Sequence, residues 1–121
     1  MLLNNFFTIL KQESDSGSVK ALISFDKSHP IFNGHFPGHP IVPGVTMVQI
    51  LREIMEIQTG RKLKISTGDN LKFLAVINPE EHHQVEVVIA FTVKENTYSL
   101  NATLSAGPVT FFKFKGTLQE I

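Results

Sequence analysis

The sequence predicts an α+β fold in which an antiparallel sheet curls around one central helix. Two patterns carry the prediction. Only one stretch, residues 45–57, has apolar residues at helical spacing, and most of the chain beyond it alternates apolar and polar residues with the period of a half-buried strand. Turn residues cut that second region into pieces of strand length.

Residues 1–10 are apolar in patches, interrupted by Asn4 and Asn5, and Ser14-Asp15-Ser16-Gly17-Ser18 makes a turn. A strand is expected at residues 19–25, where Val19, Ala21, Ile23 and Phe25 alternate with Lys20, Ser24 and Asp26. A loop then carries Pro37, Pro40 and Pro43, each fixing φ and pushing its predecessor toward an extended conformation, with Gly34, Gly38 and Gly44 at its tight points. In residues 45–57 the apolar positions Val45, Met47, Val48, Ile50, Leu51, Ile54, Met55 and Ile57 cover more than one stripe, so this helix is expected to be wrapped by protein on most sides. Thr59-Gly60 ends it. Further strands are expected at residues 71–77, closed by Asn78-Pro79, and at 85–93, 98–106 and 109–118, the last two separated by Gly107-Pro108. That makes about five strands, whose order in the sheet periodicity does not give.

Composition bounds the function. At 121 residues the chain fits a single domain, 1–121, with one core. With 11 basic and 11 acidic residues it has no global field to recruit nucleic acid or an anionic membrane. The absence of cysteine removes a thiol nucleophile, disulfides and thiolate metal sites together. No basic leader with a small-residue cleavage site is seen, and no apolar run approaches the ~20 residues that span a bilayer, so a cytoplasmic protein without a membrane span is expected.

The densest signal is Asn33-Gly34-His35-Phe36-Pro37-Gly38, then Pro40, then Pro43-Gly44-Val45. This run resembles the signature of the 3-hydroxyacyl-acyl-carrier-protein dehydratases, which have the hot-dog fold. The resemblance is specific across residues 29–45 and continues more weakly through the helix and residues 73–79. It implies dehydration of a 3-hydroxyacyl thioester to the trans-2-enoyl thioester in fatty acid or related acyl chain synthesis. It also implies that the substrate rides on the phosphopantetheine of acyl-carrier protein or coenzyme A, with no cofactor of the protein's own. His35 matches the catalytic base. The acidic partner of the family stands five positions after the glycine matching Gly44, and here that position is Gln49.

The residue types suit those roles. Histidine titrates near working pH and can take the C2 proton. The loop around Gly38 and the helix start at Gly44-Val45 offer amides to a thioester oxygen that gains negative charge. Glutamine has no acidic proton to give a departing hydroxyl. Glu53 lies one helical turn beyond Gln49, at a position where many family members carry Gln, and is a candidate to supply that proton directly or through a water. Its other reading is a carboxylate that faces solvent or pairs with Arg52 or Lys62.

Smaller expectations attach to other residues. His29 before Pro30 shapes the loop, His39 braces it, and a metal site from His29, His35 and His39 is disfavoured by the prolines that hold them apart. His82-His83 read as a solvated turn. Phe36 and Phe73 are the candidate walls of an acyl tunnel, while Phe32, Phe91, Phe111, Phe112 and Phe114 read as core. Lys113 and Lys115, or Arg61, Lys62 and Lys64, offer charge to an acidic carrier, although a solvated face accounts for them as well. The resemblance implies a homodimer or higher homo-oligomer, or a heterodimer with a homologue, in which His35 and the helix residue come from different subunits. The alternatives are a hot-dog thioesterase and a catalytically impaired acyl-binding subunit that pairs with an active homologue.

Overall fold

The computed structural model describes residues 1–33 and 40–121. In chain order these form β1 (Phe7–Ser14), β2 (Ser18–Phe25), a 3-10 turn (Pro30–Asn33), α1 (Gly44–Thr59), β3 (Leu63–Phe73), β4 (Val85–Lys94), β5 (Thr97–Ala106) and β6 (Val109–Glu120). The strands make one antiparallel sheet of order β1-β2-β4-β5-β6-β3.

Period-two burial creates the core. Val19, Ala21 and Ile23 of β2, Val85, Val87 and Ile89 of β4, Leu100, Ala102 and Leu104 of β5, and Phe112, Phe114 and Leu118 of β6 are buried together with Met47, Ile50, Leu51, Ile54 and Met55 of α1. The helix therefore lies against one face of the sheet. Pro43, with φ −63° and ψ 143°, precedes it, and the Pro43 carbonyl accepts from both the Thr46 amide (3.1 Å) and the Thr46 hydroxyl (2.6 Å). At the other end Gly60 takes φ 68°, and its amide closes on the Glu56 carbonyl at 2.9 Å.

The edges of the sheet depart from expectation. β1 had no clear alternation because it is an edge strand, and of its residues only Phe7 is buried. β3 runs over Leu63–Phe73 rather than 71–77. It is the other edge, exposed along its whole length after Leu63, and its register on β6 breaks between Ile65 and Thr67 and again between Gly68 and Asn70. Neither burial nor a regular pleat leaves a period-two trace there. β3 also passes so close to β6 that a Cβ on Gly116 would collide with the Thr67 carbonyl and the Phe114 ring.

Candidate functional site

Three of the candidate residues, His35, Phe36 and Gly38, lie outside the described residues, as does His39. Both flanks of their loop are described, and both are anchored. On the entry side the Asp26 carboxylate accepts from the Ser28 amide (3.0 Å) and hydroxyl (2.7 Å), and these bonds hold its pKa below the ordinary value. His29 shapes the turn as expected: its Nδ1 accepts from the Ile31 amide at 3.1 Å. Its ring stands edge-on to Phe6 at 5.2 Å, and Phe6 stacks on Phe32 at 5.2 Å. On the exit side the amide of buried Val42 donates to the Ile77 carbonyl at 2.9 Å.

That exit delivers the chain to the start of α1. Among the described residues no side chain caps the helix, and the Gly44 and Val45 amides have no hydrogen-bond acceptor. The Phe73 ring covers this turn. A Cβ built on Gly44 would lie 2.7 Å from Phe73 Cε1, so only glycine admits the ring at that distance. Phe73 rests on Phe112, with ring centroids 4.8 Å apart and planes at 23°, yet remains 55% exposed. Val45, which follows Gly44, Leu74, which follows Phe73, and Val76, three residues after Phe73, are exposed apolar residues too. The structure therefore brings Gly44, Val45 and Phe73 into one place.

Gln49 and Glu53 form a second group, one turn further along. Gln49 Nε2 donates to Glu53 Oε2 at 2.8 Å, while Gln49 Oε1 accepts from Arg52 Nε at 3.2 Å. Glu53 is completely buried. The Leu2 amide donates to both of its oxygens, at 3.0 and 2.9 Å, and the Leu3 amide to Oε1 at 2.8 Å. Burial pushes the Glu53 carboxyl up, but the bonds from Leu2, Gln49 and Leu3 outweigh it and leave the pKa below the ordinary value. The expectation that Glu53 faces solvent or pairs with Arg52 or Lys62 is corrected: Arg52 instead binds Glu56 at 3.3 Å and the Leu63 carbonyl at 3.2 Å. Sequence reasoning missed Leu2 and Leu3 because backbone amides leave no side-chain signal.

Phe32, Phe111, Phe112 and Phe114 are core, and Phe91 is partly buried beside it. His82 is corrected from a solvated turn residue. It is half-buried with its ring edge-on to Phe111 at 4.8 Å, and among the described residues its Nδ1 has no partner, whereas His83 is exposed. No helix among the described residues is long and apolar enough to cross a membrane.

Comparison with known proteins bears on the family and the fold. Residues 11–108 match the family described as ApeI-like, the ApeI dehydratase. A 3-hydroxyacyl-[acyl-carrier-protein] dehydratase FabZ of Fusobacterium nucleatum is 28% identical over 115 residues, covering 85% of this chain and 81% of that protein. The FabZ of Ralstonia nicotianae is 36% identical over 58 residues, which span 48% of this chain but only 35% of its own length. That of Geotalea uraniireducens is 32% identical over 74 residues, 54% of this chain and 51% of its length. Among solved structures, the dehydratase heterocomplex ApeI:P from Xenorhabdus doucetiae superposes with a TM-score of 0.75 at 18% identity, over 93% of this chain and 96% of that one. The E. coli PaaI protein superposes with a TM-score of 0.68 at 12% identity, over 95% and 79%. Among the described residues one α-helix packs on a six-stranded antiparallel sheet, which is the hot-dog fold, and the chain belongs to the ApeI-like dehydratase family.

Proposed function

We propose that this protein dehydrates a 3-hydroxyacyl thioester, carried on acyl-carrier protein, to the trans-2-enoyl thioester. The observation that carries the reading is the Gly44–Phe73 contact. It sets an exposed apolar wall across a helix start whose first amides have no acceptor among the described residues, which suits an acyl chain lying on Phe73 with its thioester oxygen toward Gly44 and Val45.

In this reading His35 takes the C2 proton, the electrons form the C2–C3 double bond, and the C3–oxygen bond breaks. The leaving oxygen needs a proton. Glu53 is an unfavourable source, because hydrogen bonds from three donors to its carboxylate and a lowered pKa keep it ionised. We assign the return of the proton to the His35 imidazolium. Gln49, one of whose amide hydrogens is not spent on Glu53, orients the hydroxyl, and Glu53 fixes Gln49 in place. Phe36 and Gly38 would complete the acyl wall and the oxygen-binding amides. The reaction requires no metal or cofactor of the protein's own, and the cytoplasm, where acyl carriers work, is the compartment it fits.

A second reading is favoured by the ApeI:P neighbour, a heterocomplex of a dehydratase. Here the chain pairs with a homologue that contributes the acid missing at position 49. Incubating the purified chain, alone and with candidate homologues, with a 3-hydroxyacyl carrier substrate separates the cases by mass. Loss of one water in the chain alone supports the first reading, loss only with a partner supports the second, and release of free acid identifies a thioesterase and overturns both.

A further inference from the structure

The face of the sheet turned away from α1 carries an isolated basic cluster. Lys113 and Lys115 alternate with buried Phe112 and Phe114 along β6 and therefore project to the opposite side of the sheet. Lys72 of β3 stands directly across from Lys113 in the register, and Asn70 across from Lys115. On the other flank of β6, Thr103 opposes Lys113 and Asn101 opposes Lys115. These six residues line a concavity of about 310 Å³.

Two like charges directly opposed on neighbouring strands are destabilising. Nothing within the chain relieves them: among the described residues none of the three lysines has a carboxylate within ion-pair distance, although Asp69 stands in the adjacent bulge. The chain as a whole is neutral, so this is a local field. Its place matters as well. Lys72 immediately precedes Phe73, the last residue of β3, and Phe73 is the ring that covers Gly44.

We infer that this outer face, centred on Lys72, Lys113 and Lys115, docks the acidic surface of the acyl carrier. The inference rests on the carrier-borne substrate proposed above. A carrier seated there sends its flexible phosphopantetheine arm around the end of β3 to the helix start, while its carboxylates neutralise the opposed lysines and the flanking Asn70, Asn101 and Thr103 supply polar contacts.

The test is the triple variant Lys72→Glu/Lys113→Glu/Lys115→Glu, with Lys→Gln at the same positions as the milder control. Both are assayed on one 3-hydroxyacyl group presented either on the carrier or as its N-acetylcysteamine thioester, which has no acidic surface. The expected result is a KM for the carrier substrate raised by about tenfold or more and a weaker salt dependence, with turnover of the small thioester unchanged. An unchanged KM for the carrier substrate overturns the docking face, and so does an equal loss on both substrates. If the wild type dehydrates neither substrate the proposed reaction fails, and titration of labelled carrier onto the protein still reads the surface. Binding that the charge reversal weakens supports the face; no binding by the wild type, or binding that the variant retains, overturns it.

Discussion

Gln49 donates a 2.8 Å hydrogen bond to Glu53, and the Glu53 carboxylate in turn holds the Leu2 and Leu3 amides. The carboxylate that lies nine residues past the helix start is therefore occupied with securing the chain's first residues over α1. Its burial is compensated by bonds that all favour the charged form, so removing it leaves donors without an acceptor.

Glu53→Ala is expected to lower stability by about 1–3 kcal/mol, the range for leaving buried polar groups unsatisfied, since the freed segment can partly rehydrate its amides. Urea unfolding measures the loss, and hydrogen exchange should show the Leu2 and Leu3 amides losing protection. An unchanged midpoint with unchanged protection would show that the clamp contributes nothing.

The same group sets an acid response. Its folded-state pKa lies below the ordinary value of 4.5, so the stability it contributes is complete above that value and is lost as pH falls through the folded pKa. Asp15 and Asp26, also lowered by hydrogen bonds, act in the same direction. Thermal unfolding of the wild type and Glu53→Gln between pH 7 and pH 3 isolates the buried group: the difference between them should shrink in that acid window. A constant difference would locate the effect elsewhere.

The contact between Gly44 and Phe73 makes a coupled prediction. Gly44→Ala drives a methyl to within 2.7 Å of the ring and displaces it, at a cost of about 1 kcal/mol, the low end for overpacking, because the ring is more than half exposed and can swing aside. Phe73→Ala removes the obstacle, so the double variant should be less destabilised than the sum of the two single changes. Strict additivity in denaturant unfolding would mean that the two sites do not press on each other.

Exchanging the pair tests the missing acid. Gln49→Glu alone brings a second carboxylate beside Glu53, raising the pKa of one of them, whereas Gln49→Glu/Glu53→Gln places a single carboxyl at position 49. The double variant is expected to raise turnover by about 10²-fold, the low end for a positioned general acid. No gain would mean that the hydroxyl already receives its proton efficiently.

Much of the fold was legible in the sequence, and the exceptions share a cause. The buried elements announced themselves: β4, β5 and β6 alternate, and α1 begins within one residue and ends within two of its apolar pattern. The edge strands did not, because β1 and β3 are largely exposed and only β2 or β6 beside them fixes their register. Gly44, Val45 and Phe73 were singled out by the resemblance and meet in space. Gln49 is one helical turn from Glu53, but the other groups that Glu53 touches were invisible, since they are main-chain amides fifty or more positions away.

The central claim is removal of water by His35, and the most direct measurement is the mass of the acyl group after incubation with a 3-hydroxyacyl carrier substrate, for the wild type and His35→Asn in parallel. The account predicts an enoyl product lighter by one water from the wild type and a rate lower by about 10²–10⁴-fold from the variant. Elimination that survives the substitution, or a wild type that releases only free acid, would contradict it.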